Sequence, residues 1–368
     1  MKIVCTQENL KAGLATVGRI IPSSNTLPIL SNLLIRTDNG ILKISSTNLE
    51  IAITTQIRCK VEEDGGVTVA SKTINELINN LPNKNITLQT ENNELKIEAE
   101  NYHTSIKTLP ADEFPLIPAI EAKQSQMLDA QELKASLEQV VFAASTNQTQ
   151  PEISGVFISG EGKELSIAAT DRYRLAEKKL PLDKNTGNIQ NLIIPQKTIL
   201  ELTRIIGNQK GQVEVVTNDT QISLSFNDTQ IVSRLIDGQY PDYKQIIPAG
   251  FTTLITTEKQ PMVSALKAVG VFSHGSSSVR FEFSSEKQLV LLSSESSELG
   301  KSQVELAAKV EGESKVVILN HHYVLDCLAS IGSSEIIIKV IDDSSPSLIV
   351  PADKNDYIYL VMPIVRPM

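Results

Sequence analysis

The sequence predicts an α+β protein made of three tandem repeats of one domain, each with two helices on one side of antiparallel sheet. Three observations carry that prediction. A pattern of about 120 residues recurs three times along the 368-residue chain. Ile74, Ile199 and Val324 stand at the same place in each copy, 125 residues apart both times. Each copy also contains alternating apolar segments joined by short polar turns, the period-two signature of half-buried antiparallel strands. The boundaries fall near residues 121 and 250, giving domains 1–121, 122–250 and 251–368.

Each copy opens with a short strand, a polar cap and an amphipathic helix: Thr6-Gln7-Glu8-Asn9-Leu10, Asp129-Ala130-Gln131-Glu132-Leu133 and Thr257-Glu258-Lys259-Gln260-Pro261. Thr6, Asp129 and Thr257 are the candidate N-caps, and Glu132 completes a capping box in the second copy. Pro261 falls early enough in its helix to be tolerated. A second helix contains Ile74, Ile199 or Val324, and Pro82, Gly207 and Gly332 stop the three helices. Hairpins follow. Ile86-x-Leu88 pairs with Leu95-x-Ile97 across Asn92-Asn93, Val213-x-Val215 with Ile222-x-Leu224 across Asn218-Asp219, and Ile336-x-Ile338 with Leu348-x-Val350 across Asp342-Asp343. Between the helices lie further period-two strands, at Ile41–Ile44, Leu165–Ile167 and Gln288–Leu291. Helices grouped on one side of antiparallel sheet define the α+β class.

An apolar content of 41% supports packed cores and argues against disorder. No run approaches the roughly 20 apolar residues of a membrane helix, and the opening residues turn polar before a signal core could form, so the chain reads as cytoplasmic. Cys5, Cys59 and Cys327 are odd in number and far apart in the sequence, which suits small buried hydrophobes rather than a disulfide framework or a thiolate metal site. Net charge is −9. The helical windows 7–20, 72–81, 130–144, 196–210, 258–270 and 320–331 nevertheless hold nine Lys and Arg against seven Asp and Glu. The helices are mildly basic inside an acidic chain, as a helix-lined channel for a polyanion would be; solvated helix faces with no ligand give the same split. Lys197 and Arg204 lie two turns apart on one helix face, with Lys210 beyond them and Lys11 and Lys72 as weaker counterparts, so they can follow successive phosphates. Few aromatics and no Trp leave little for stacking on single strands.

Nothing assembles a catalytic site. Ser264-Ala-Leu-Lys267 matches the S-x-x-K of serine β-lactamases and Ser46-Thr47-Asn48 resembles their S-x-N element, but the order is wrong and no K-T-G follows. A penicillin-recognising enzyme is therefore the rival from another class, and a scaffold that never meets DNA is a second. His321 and His322 are adjacent and expected on different sides of a helix, a poor metal pair, and His103 and His274 stand apart from any ligand cluster. Gly160-Glu161-Gly162 reads as a hairpin turn, and Asp112-Glu113 and Asp342-Asp343 as solvated loop carboxylates. No metal and no cofactor is expected.

Four segments then carry a resemblance: Thr26-Leu27-Pro28-Ile29-Leu30-Ser31-Asn32-Leu33-Leu34, Ala169-Thr170-Asp171-Arg172-Tyr173-Arg174-Leu175-Ala176, Asp237-Gly238-Gln239-Tyr240-Pro241-Asp242-Tyr243 and Tyr359-Leu360-Val361-Met362-Pro363-Ile364. In that order they resemble the hallmark segments of the bacterial sliding-clamp family, the beta subunits of DNA polymerase III, and the likeness runs from end to end. It implies the DNA clamp fold and a head-to-tail homodimer closed as a ring around duplex DNA, helices inside and sheet outside. It implies a non-catalytic processivity factor that binds DNA without reading sequence, is opened by a clamp loader, and tethers the polymerase III alpha subunit and other proteins carrying a clamp-binding peptide. Lys72, Gln148, Lys197 and Arg204 are then the DNA-contacting residues. Ile153, Thr170, Arg172, Tyr173, Arg174, Leu175, Pro241, Ile246, Val361, Met362, Pro363 and Ile364 form the partner-peptide pocket, with Arg174 as a polar anchor, and Ser105, Ile106, Val271 and Phe272 form the dimer interface. The chain departs from the family pattern at Arg172-Tyr173, where Gly-His is common, at Ser24, where a basic residue is expected to touch DNA, and in its extended tail after Pro363.

Overall fold

The computed structural model describes residues 1–21, 27–120, 124–147, 149–182, 189, 191–273 and 275–365. Gln148, Ser24, His274 and the last three tail residues lie outside these. The first repeat runs β1 (Lys2–Thr6), α1 (Gln7–Val17), β2 (Asn32–Asp38), β3 (Ile41–Thr47), β4 (Ile51–Ile57), β5 (Lys60–Glu63), β6 (Gly66–Ala70), α2 (Ser71–Asn80), β7 (Asn85–Glu91), β8 (Glu94–Ala99) and β9 (Tyr102–Pro110). The second has β10 (Gln124–Asp129), α3 (Ala130–Glu138), β11 (Gly155–Glu161), β12 (Glu164–Thr170), β13 (Arg174–Pro181), β14 (Leu192–Pro195), α4 (Gln196–Ile206), β15 (Gln212–Thr217), β16 (Gln221–Phe226) and β17 (Thr229–Arg234). The third has β18 (Thr253–Glu258), α5 (Lys259–Gly270), β19 (Ser278–Ser284), β20 (Leu289–Ser296), β21 (Gly300–Ala307), β22 (Lys309–Gly312), β23 (Lys315–Asn320), α6 (His321–Ser330), β24 (Glu335–Val340), β25 (Ser347–Pro351) and β26 (Tyr357–Val361). Among the described residues the second repeat has no counterpart of β5.

The helices form where the sequence places them, and each buries one stripe. Leu10, Leu14 and Val17 on α1 are fully buried, as are Ile74 on α2, Leu202 and Ile206 on α4, Met262, Leu266 and Val269 on α5, and Val324 on α6. Gly13 lets α1 press onto β4, because a Cβ there would clash with the Ile57 side chain. Thr6 caps α1 by accepting from Asn9 N at 3.3 Å, and Asp129 accepts from Gln131 N at 2.9 Å. Thr257 is not a cap: it ends up inside β18, its hydroxyl donating to the Ala307 carbonyl at 3.2 Å, and α5 starts after Glu258 with no side-chain cap. Gly207 stops α4 at a φ of +52°, a left-handed stop that glycine adopts freely.

The first two hairpins set their inward apolar residues opposite one another, Leu88 opposite Ile97 and Val215 opposite Leu224, whereas the third is corrected by one residue: Ile338 lies opposite Ile349, and Leu348 and Val350 face Lys339 and Ile337. Asn92 and Asn93 both sit at positive φ, as a two-residue hairpin turn requires. Asp342 is a solvated turn residue whose carboxylate accepts from Ser344 N and Ser345 N, bonds that hold its pKa down at about 2. Two further sequence expectations are corrected. The rings of His321 and His322 do not point apart; their centroids are 4.0 Å from each other, while the His321 imidazole contacts the Ser277 carbonyl at 2.8 Å, and burial lowers its pKa. Cys59 is only half-buried, unlike Cys5 and Cys327. Among the described residues no group of acidic, His and Cys side chains could hold a metal, and no helix is long and apolar enough to cross a membrane.

The chain divides into two compact units that cut across the repeats. Met1–Gln131 with Leu200–Leu235 makes one, and Glu132–Ile199 with Ile236–Met368 the other. The first contains a 13-stranded sheet, in which β4 of repeat one pairs antiparallel with β17 of repeat two, Ile53 opposite Ile231. The second contains a nine-stranded sheet, in which β13 of repeat two pairs with β26 of repeat three, Leu175 opposite Leu360, and a separate four-stranded sheet. The same junction is thus made twice, the third strand of one repeat's first meander against the last strand of the next repeat. Its third instance would join β21 to β9. Among the described residues β21 pairs with β20 alone, and β9 over residues 102–107 pairs with β8 alone, its remaining contact to β6 starting at Thr108.

Candidate partner pocket and cationic helix faces

The segment Thr170–Arg174 is a turn closed by its own polar atoms. The Thr170 hydroxyl donates to the Arg174 carbonyl at 2.7 Å and accepts from Arg172 N at 3.2 Å. One Asp171 oxygen accepts from Tyr173 N and Arg174 N, both at 3.0 Å. This forces Arg172 to a φ of +79°. A non-glycine residue there carries about 1 kcal/mol of backbone strain, which accounts physically for the glycine common in the related pattern. Tyr173 is thrust outward and is 63% exposed.

Arg174 sits at the centre of a bonded cage. Its Nε donates to Asp171 at 2.9 Å, one terminal nitrogen to Asp326 of α6 at 2.5 Å, and the other to the Phe142 carbonyl at 2.9 Å. Its guanidinium carbon lies 4.4 Å from the Tyr323 ring centre and 5.6 Å from that of Phe142. Burial works against the charge, but Tyr359, Asp326 and Asp171 more than offset it and hold the pKa above the ordinary guanidinium value. Within the chain Arg174 is a strut that uses three of its five N–H donors to fix the turn to α6.

Next to the turn, β26 runs on as an extended segment in which Met362 N donates to the Tyr173 carbonyl at 2.8 Å and Ile364 N to the Ile318 carbonyl at 2.8 Å. Met362 packs on a buried cluster that includes Leu175, Tyr240, Tyr243 and Leu360. Tyr240 stacks on Phe157 at 4.7 Å, and the Tyr243 hydroxyl donates to Glu177 at 2.8 Å. Burial raises both tyrosine pKa values, and Glu177 raises that of Tyr243 further. Of the twelve pocket residues, Ile153, Thr170, Leu175 and Val361 are buried and can only support a surface. Arg172, Tyr173, Pro241 and Ile246 are exposed, and Met362, Pro363 and Ile364 half-exposed, so these seven are the ones with surface to offer a partner. Ile153 sits in its own short turn, bonded through its carbonyl to Ser145 N, with no bond to the Thr170–Arg174 turn.

The cationic residues are arranged otherwise. Lys72 at the start of α2, and Lys197 and Arg204 on α4, are exposed. Arg204 has one carboxylate partner, Glu201, at 2.6 Å. Arg19, which the sequence reading counted but did not single out, joins Arg204 in lining a cleft of about 190 Å³ with Thr16, Gln209 and Asn227. Two guanidinium groups on one open, polar cleft suit phosphate contact. Lys11 is exposed on α1, and Ser264 and Lys267 are exposed on α5. Val271 is 64% exposed just past the end of α5 and Phe272 is half-buried, whereas Ile106 faces its own core and Ser105 faces out, its hydroxyl bonded to Glu94.

Family comparisons cover nearly the whole chain. Models of the N-terminal, central and C-terminal domains of the DNA polymerase III beta subunit match residues 1–118, 127–242 and 244–365. The chain belongs to the DNA polymerase III beta subunit family. It is 30% identical to the beta sliding clamp of Synechocystis over 387 aligned residues, covering 99% of each chain. The structures of the beta subunit from Thermotoga maritima (28% identical, TM-score 0.93) and of the sliding clamp from Bacillus subtilis (26%, TM-score 0.96) each align over 100% of both chains. The protein has the three-repeat clamp fold of that family and, as a beta-subunit family member, is a non-catalytic processivity factor of DNA polymerase III, working with DNA and the replication machinery.

Proposed function

We propose that two copies of this chain, each with domains 1–121, 122–250 and 251–368, join head to tail into a closed ring around duplex DNA in the bacterial cytoplasm. The observation that carries the reading is the unmade third junction. Two of three equivalent strand junctions are satisfied inside one chain, and the two strands left over, β21 and the 102–107 flank of β9, are the complementary halves of the third. Open edges bind other edges, and a repeated heterologous contact closes a ring when its rotation allows. The exposed Val271 and half-buried Phe272 supply apolar cover for that seam, and Ser105 and Ile106 lie on its β9 side.

Inside the ring, Lys72, Lys197 and Arg204, together with Gln148, touch phosphates without reading bases, so the ring slides. A clamp loader opens it. The face formed by Arg172, Tyr173, Pro241, Ile246, Met362, Pro363 and Ile364 takes the short apolar peptide of the polymerase III alpha subunit and other partners, with Ile153, Thr170, Leu175 and Val361 beneath and Arg174 holding the turn in place. Phe272→Asp should give monomers by light scattering at micromolar concentration. It should also remove hydrogen-exchange protection from the outward-facing alternate amides of residues 102–107 and 300–307, those not bonded to β8 or β20, and abolish retention on nicked circular DNA. A full dimer in that variant, or equal retention on linear DNA by the parent protein, would overturn the reading.

A further inference from the structure

The fold brings together two thiols that the sequence keeps 54 positions apart. In the antiparallel pairing of β1 with β5, Ile3 lies opposite Val61 and Val4 opposite Lys60; continued one step, just before β5 begins, the same register brings Cys59 to Cys5, and the two thiols are near enough for Cys59 to act electrostatically on Cys5. Side-chain alternation agrees: Ile3 and Cys5 are buried and Val61 and Cys59 half-buried, all facing inward, while Lys60 between the latter two is exposed. Directly opposed residues of an antiparallel ladder stand about 4.5 to 5.5 Å apart at Cα, inside the span of roughly 4.4 to 6.8 Å that a disulfide bridges. Both cysteines are free thiols in the structure. The geometry points to a peroxide-responsive thiol pair, Cys5 and Cys59, that closes into a cross-strand disulfide tying β1 to β5.

The chemistry assigns the two sulfurs different parts. Cys59, the more accessible, attacks hydrogen peroxide as its thiolate; the O–O bond breaks, hydroxide leaves and takes up a proton as water, and Cys59 becomes a sulfenic acid. Cys5 then attacks the Cys59 sulfur, the S–O bond breaks, and the hydroxyl departs as water with the Cys5 proton. Two thiols and one peroxide yield one disulfide and two waters. Burial, with a smaller contribution from Cys59, pushes the Cys5 thiol up to about 12, and burial raises Cys59 as well. Both thiols are therefore mostly protonated at neutral pH, so the pair closes slowly with peroxide there and faster as pH rises. Nothing in this depends on ring closure or DNA.

The test treats the full-length protein with millimolar hydrogen peroxide, alkylates it unfolded without reductant, and maps the peptides by mass spectrometry. The expected product is a Cys5–Cys59 linked peptide about 2 Da lighter than the dithiol pair, reversed by dithiothreitol and absent in Cys59→Ser and in Cys5→Ala, with the fully buried Cys327 still alkylated. Cys59→Ser changes a half-buried residue and keeps the fold testable if Cys5→Ala does not. Oxidation of Cys59 to sulfinic acid with Cys5 still alkylated, or cross-links only between chains, would overturn the assignment.

Discussion

Arg174 and Arg204 carry the same guanidinium in opposite settings. Arg174 is 12% exposed at its side chain and bonded by Asp171, Asp326 and a main-chain carbonyl between two aromatic rings; Arg204 is 48% exposed and shares one carboxylate. On the proposed function, the contrast separates two kinds of recognition. A pocket that must present one shape to a peptide needs its walls fixed before binding, since ordering them afterwards costs affinity. A surface that must pass along a polyanion without register gains from long cationic arms that re-aim as each phosphate goes by.

Breaking the fixed side should have the largest effect. Asp171→Ala removes three bonds that hold the turn and leaves Arg174 with one carboxylate, so stability measured by urea unfolding should fall by about 2 kcal/mol. Binding of a fluorescent Leu- and Phe-containing clamp-binding peptide should weaken by at least about tenfold. If neither moves, the cage does not shape the pocket. On the mobile side, Lys197→Ala should leave the melting temperature alone and lower the salt dependence of DNA binding by about one unit of log–log slope; an unchanged slope takes Lys197 off the phosphate path. The smallest effect sharpens the cage itself. Arg172→Gly relieves the left-handed strain and should raise stability by up to about 1 kcal/mol while leaving the Asp171 bonds intact. A destabilised glycine variant would mean that the Arg172 side chain contributes more than its backbone costs.

The sequence made the local parts of this architecture legible. The spacing of Ile74, Ile199 and Val324 located the buried stripes of three helices, because period and burial are written in each segment alone. Hairpins such as Leu88 with Ile97 were readable because the turn fixes their register. The junctions β4 with β17 and β13 with β26 were not readable, since every strand shows the same alternation and main-chain pairing leaves no mark in side-chain identity. Thr257 has the residue type of a cap, yet β18 extends through it and uses its hydroxyl in the sheet. In the candidate pocket, the Asp171–Arg174 contact lies three residues apart and was within reach, while Asp326, 152 residues away, came only with the fold. The opposition of Cys5 and Cys59 was hidden for the same reason. Arg19 was present in the charge count, but nothing local set it beside Arg204.

Joints made from backbone amides are indifferent to which amino acids flank them. A lineage can replace most of the letters along β4, β13, β17 and β26, provided the inward positions stay oily, without unpicking the weave. That indifference fits relatives that share little more than a quarter of their residues with this chain yet superimpose at TM-scores of 0.93 to 0.96. Substitution is then free to act on the loops and exposed faces, where a clamp from one bacterium can come to prefer its own set of companions.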